Sequence, residues 1–175
     1  MYTRTYDRGR DMLVSVAESL TGGLLADAFV QTPGASKVFA GGAVCYTLDA
    51  KCAVLGVPRS VAAPCDCVSP EVARAMARGC VRLFGTSYAI GTTGYAEPRE
   101  RGDGTTTPPI AYVSIYDRER DRFDDMVVQE DGARALLPPC RNAFRAEVAR
   151  RAHARFRQYL PFLRLECLSR EIKPM

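Results

Sequence analysis

Hydrophobic and polar positions along the chain change period several times, and the changes mark the elements. MLVSVA at residues 12–17 is a short apolar run, consistent with a buried strand. From Ser19, the positions Leu20, Leu24, Leu25 and Ala28 recur at helical spacing until TPG at 32–34 stops the pattern. KVFAGGAVCYT (37–47) is β-branched and aromatic, and its glycine pair at 41–42 predicts a bend or a close backbone approach in a strand. DAKCAVLG (49–56) reads as a short helix with Asp49 as N-cap and Gly56 as C-cap. VPRSVAAPCDC reads as a loop.

The second half is equally patterned. Ser69-Pro70-Glu71 combines a cap, a proline at the first helical position and an acid in the first turn. Val72, Met76, Gly79, Cys80 and Leu83 then share one face of that helix. SYAIGTTG (87–94) reads as a buried strand, followed by the long polar loop YAEPRERGDGTTTPP. IAYVSIYD (110–117) and RFDDMVVQ (122–129) alternate around RERD and predict an antiparallel hairpin. Phe144, Val148, Ala152, Phe156 and Leu160 recur every fourth residue and predict a long amphipathic helix from Arg141. Strands separated by helices, followed by consecutive strands, predict an α/β sandwich with a mixed sheet. The expected organisation is an arm over residues 1–11, one domain over 12–163 and a tail over 164–175.

Composition narrows the function. A chain of 175 residues holds about one domain. It has no apolar run near the ~20 residues that span a bilayer, and its first residues lack a signal-peptide pattern. A soluble cytoplasmic protein with no membrane partner is expected. The net charge of +4 neither requires nor excludes an anionic partner. The cysteines number seven, and Cys65 and Cys67 form CDC rather than a metal-binding CxxC, so free thiols, no metal and no cofactor are expected. His153, the single histidine, lies in the basic run RRAHARFR. A nucleophile in this chain therefore needs a base other than histidine.

Three segments carry candidate chemistry at strand ends. Ser19 follows a strand and opens a helix through Thr21, Gly22 and Gly23. Glycines there let a ligand approach main-chain N–H groups that stabilise negative charge. On this feature alone the plainer reading of Ser19 is an ordinary N-cap. In YTLDAK, Lys51 falls in the first turn of a helix five residues after Tyr46. The helix dipole and partial burial lower a lysine pKa there, and a neutral amine is a general base for a serine. Tyr46 would relay the proton or position the amine. The plain alternative is a solvated lysine beside a half-buried aromatic. Gly91-Thr92-Thr93-Gly94 ends the next strand, where α/β sheets collect ligands, and reads otherwise as a simple turn.

VAESLTGGLLA, TPGASKVFAGGAVCY, the Tyr46–Lys51 interval, LGVP, VSPEVARAMARG and TTGYAEP occur in this order, and together they resemble the CinA C-terminal domain family. The enzymatic members of that family are PncC-type nicotinamide mononucleotide deamidases. The resemblance implies a three-layer α/β/α domain, often a homodimer. It also implies a small-molecule nucleotide substrate whose carboxamide is hydrolysed to the acid and ammonia, without metal or cofactor. Carried over, the catalytic residues are Ser19, Tyr46 and Lys51. The substrate-binding residues are Thr21, Gly22, Gly23, Thr93 and Gly94, with Arg134 or Arg141 toward a phosphate. Two segments depart from the family. Gly94-Tyr95-Ala96-Glu97-Pro98 stands where GIAGP is usual, and Pro108-Pro109-Ile110-Ala111 stands where KPVG is usual.

A domain that binds a nucleotide or a partner without turnover is the alternative function. The arginines of residues 141–157 would also suit nucleic acid, but the modest net charge and the absence of a nucleic-acid motif favour a solvated helix face.

Overall fold

The computed structural model describes residues 13–100, 102–129 and 140–159. The arm over 1–11, Arg134, Leu160 and the tail lie outside them. The first strand, β1 (Val14–Glu18), is buried along its whole length. It leads through a turn to helix α1 (Leu24–Val30) and strand β2 (Phe39–Val44). Three helices follow: α2 (Leu48–Leu55), α3 (Arg59–Ala62) and α4 (Pro70–Phe84). Strand β3 (Tyr88–Tyr95) precedes a two-stranded ribbon of β4 (Arg99–Glu100) and β5 (Thr106–Thr107). The hairpin of β6 (Ile110–Asp117) and β7 (Arg122–Gln129) and the helix α5 (Arg141–Phe156) complete the described chain.

The main sheet has the order β2-β1-β3-β6-β7. β1 is parallel to β2 and β3, while β6 runs antiparallel to β3 and to β7. Strand alternation sends Val14, Val16 and Ile90 into a core with Leu25 and Phe29 of α1 and Phe144, Val148 and Phe156 of α5. Ala17 and Ala89 point the other way, into a core with Leu55 of α2, Ala62 of α3 and Val72, Met76 and Cys80 of α4. The result is a three-layer α/β/α sandwich with a mixed sheet. Helix α4 lies close on its neighbours because two glycines leave room. A methyl group on Gly91 would collide with the Ala73 carbonyl oxygen, and one on Gly79 with that of Leu55.

Several local expectations are revised. Helix α1 begins at Leu24, so residues 19–23 form a turn instead of a first helical turn. Thr47, and not Asp49, caps α2: its hydroxyl oxygen accepts the Ala50 N–H at 3.2 Å. Asp49 is exposed and pairs with Arg59. The segment read as a loop contains α3, and the long polar loop contains the β4–β5 ribbon. Leu83 is exposed instead of joining the buried face of α4.

The connections decide where a site can form. From β1 the chain crosses through α1 on one face of the sheet to reach β2. From β2 it crosses through α2, α3 and α4 on the other face to reach β3, on the far side of β1. The loops after β1 and β2 therefore leave in opposite directions. Such a switch point opens a crevice at the carboxyl ends of the two strands.

Candidate active site

Ser19 and Lys51 meet in that crevice. Alternation along β1 turns Glu18 toward α1 and Ser19 toward α2. The Lys51 amine lies 3.0 Å from Ser19 Oγ, 3.0 Å from the Cys45 carbonyl oxygen and 3.1 Å from the Tyr46 carbonyl oxygen. Lys51 is 1% exposed and Ser19 is 7% exposed, so both are withdrawn from water. Burial holds the Lys51 pKa below that of an ordinary lysine, opposed in part by Cys67, Cys45 and Asp66. No carboxylate among the described residues lies within ion-pair distance of it. A neutral amine has two N–H groups and one lone pair. The two carbonyl oxygens can only accept, so they take both N–H groups. As an ammonium Lys51 donates to all three oxygens; once neutral, its lone pair is left for the Ser19 hydroxyl proton.

Tyr46 takes part through its main chain. Its side chain is 59% exposed, and its phenol oxygen accepts from Arg141 Nη2 at 2.8 Å. Arg141 Nη1 donates to Glu97 at 2.7 Å. The predicted phosphate ligand and the acid of the altered loop are thus joined above the crevice. Arg134 lies outside the described residues.

Ser19 does not cap α1. Glu18 does this, with a carboxylate buried at 1% exposure that accepts N–H groups of Gly23 (2.9 Å), Leu25 (3.1 Å) and Ala26 (2.8 Å). This leaves the Ser19 hydroxyl to Lys51. It also removes the Gly23 N–H from any role toward a ligand. The N–H groups of Thr21 and Gly22 have no acceptor among the described residues.

Gly22 and Gly23 adopt φ of +56° and +101°, which L side chains rarely do. Arg145 of α5 holds this turn, donating from Nε to the Leu20 carbonyl at 2.7 Å and from Nη2 to that of Thr21 at 3.2 Å. A methyl on Gly22 would sit 2.7 Å from Arg145 Nη2.

The remaining candidates serve the frame. Thr21 and Thr92 share a buried hydroxyl–hydroxyl hydrogen bond of 2.8 Å, and Thr93 Oγ1 donates to the Cys67 carbonyl at 2.6 Å. Gly94, partly exposed, packs against the β6 main chain at Ile110 and Ala111, so a side chain has no room there. His153 stands edge-on to the Phe29 ring, with a pKa lowered first by burial, and takes no part in the crevice. Sequence reasoning missed Glu18 and Arg145. An acid ending an apolar strand just before a helix was the visible signal for Glu18. Arg145 carried none, being one of many arginines on a polar face.

An α/β/α domain with a buried serine–lysine pair at its switch point is the class these features define. The chain belongs to the CinA C-terminal domain family, whose model matches residues 4–157. It is 47% identical over 106 residues to a competence-damage inducible protein of Moorella thermoacetica, covering 61% of this chain and 25% of that protein. It is 39% identical over 150 residues to a CinA-like protein of Gemmatimonas aurantiaca, covering 85% of this chain and 32% of that one. The chain thus spans a quarter to a third of the length of these curated relatives. Among solved structures, the competence damage-inducible protein A from Klebsiella pneumoniae superimposes with a TM-score of 0.72 at 27% identity, covering 88% of each chain. CihA, a competence/damage inducible protein from Agrobacterium tumefaciens, gives 0.70 at 28%, covering 83% of each.

Proposed function

We propose that this domain is an amidohydrolase that converts the carboxamide of nicotinamide mononucleotide to the acid and ammonia. The observation that carries this reading is the buried Lys51 amine, held by two carbonyl oxygens and turned to Ser19 Oγ at 3.0 Å. Ser19 passes its proton to the Lys51 lone pair as its oxygen attacks the carboxamide carbon. The Gly22 N–H group, in an exposed turn, receives the developing oxyanion. Lys51, now an ammonium, returns the proton to the departing nitrogen, which leaves as ammonia. Water then attacks the acyl-serine, Lys51 takes a proton from it, and the acid is released as Ser19 is reprotonated. Tyr46 supplies a carbonyl to the amine and, through its phenol, a second contact for Arg141. Arg141 is the residue at the mouth suited to a phosphate.

The test is ammonia release from nicotinamide mononucleotide by the purified protein, beside Ser19→Ala and Lys51→Ala. The reading requires release by the wild type and a loss of several orders of magnitude in both variants. Ser19→Ala with near-normal turnover sinks the nucleophile assignment. A folded wild type that binds the nucleotide and releases no ammonia supports the binding domain instead. That alternative draws on the Glu97–Arg141 pair at the mouth.

A further inference from the structure

The cations around the crevice are few, and their commitments differ. Lys51 is buried among Ser19 and two carbonyl oxygens. Arg145 is spent on the Leu20 and Thr21 carbonyls. Arg141 holds no main-chain carbonyl among the described residues and presents a half-exposed guanidinium at the mouth, with a side chain 41% exposed. Both of its terminal nitrogens are occupied, one by Glu97 and one by the Tyr46 phenol. That two-nitrogen edge is what a phosphate uses for bidentate recognition.

Glu97 does not drift into this position by chance of a mobile loop. Two residues on, Arg99 pairs with Asp66, on the connection between α3 and α4, and lies over the Tyr95 ring at 4.7 Å. The segment 95–99 is therefore tied to the α5 layer by Glu97 and to the opposite helical layer by Arg99. Glu97 is presented to Arg141 by a loop fixed on its other side.

We propose that Glu97 is an internal anion that occupies the phosphate-binding edge of Arg141 and so weakens this domain's preference for phosphorylated over unphosphorylated carboxamides. The proposal takes its ligands from the amidohydrolase reading, but it concerns binding and does not need turnover. The pair is exposed, with Glu97 57% and Arg141 41% accessible, so a phosphate can displace the carboxylate at modest cost.

The experiment is titration calorimetry on the full chain carrying Ser19→Ala, with nicotinamide mononucleotide and its dephosphorylated nucleoside as the two probes. Adding Glu97→Gln is expected to tighten the mononucleotide about two- to fivefold, the range of an exposed ion pair, and to leave the nucleoside unchanged. Adding Arg141→Gln is expected to erase the difference between the two probes. Equal effects of Glu97→Gln on both probes, or no discrimination by phosphate in any variant, overturns the proposal. Ammonia release by the wild-type protein is scored separately, so failure of the amidohydrolase reading is distinguishable from failure of this one.

Discussion

Lys51 is the residue at which stability and chemistry oppose each other. Its ammonium form is penalised by burial, so the folded state releases the proton at a lower pH than the unfolded chain, where lysine titrates near ~10.4. Between those two values the unfolded chain binds more protons, and stability must rise with pH. Below the lowered folded value the full penalty is present and constant. Lys51→Met removes the titration, so the melting temperature of the wild type relative to Lys51→Met is expected to climb as pH rises through that window. A flat difference across the alkaline range would contradict a buried, depressed amine. On the proposed mechanism the same proton sets the rate. Because the base must be neutral, kcat/KM is expected to rise with pH and level off above the lowered Lys51 pKa. Lys51 could be singled out from its place in a first helical turn after Tyr46. Ser19 could be singled out with it, but its other two partners could not, because they are main-chain oxygens that carry no side-chain signature.

At the scale of elements, the turn between β1 and α1 is organised by Glu18. One carboxylate satisfies three N–H groups at the start of a short helix, in the position that favours negative charge. Glu18→Gln keeps the shape but offers one carbonyl oxygen and turns an NH2 group toward donors. Equilibrium unfolding in urea is expected to show a loss of about 2–3 kcal/mol, the value of charge-assisted hydrogen bonds replaced by unsatisfied buried donors. Ser19 follows Glu18 directly, so the same variant is expected to lose activity. A stability unchanged by Glu18→Gln would show that the cap is dispensable. Here the pattern of the sequence located the strand and the turn but assigned the cap to the wrong residue. Serine is a preferred N-cap, and a glutamate reaching forward over five to eight residues is not a local rule. Thr47 in place of Asp49 at α2 is a similar error of two residues, since both residue types cap well. The β6–β7 hairpin and the Ser69-Pro70 start of α4 were legible because their signals are local: strict alternation, and a cap followed by proline.

Over the whole molecule, the site exists because layers on opposite faces of one sheet meet at its carboxyl end. The β1–α1 turn supplies Ser19, α2 supplies Lys51, and α5 reaches across with Arg145 to hold the turn. Arg145→Ala releases the Leu20 and Thr21 carbonyls to water, so the stability cost is expected to be only about 1 kcal/mol. Loosening of the nucleophile turn is expected to lower kcat ~10- to 100-fold. A fall in kcat no larger than the stability loss explains would remove Arg145 from the positioning frame. Other arginines of α5 are paired, Arg150 and Arg151 sharing Glu147 and Arg155 meeting Asp124. The sequence by itself determined the longer elements, the mixed α/β class and the serine and lysine at strand ends, because periodicity, caps and turn residues act over a few positions. The tertiary structure decided which groups those residues face. Glu18 against α1, the Cys45 and Tyr46 carbonyls around Lys51, and Glu97 on Arg141 are contacts between separate segments. They follow from the direction in which each strand's connection leaves the sheet, a property of the packed layers that no local pattern encodes.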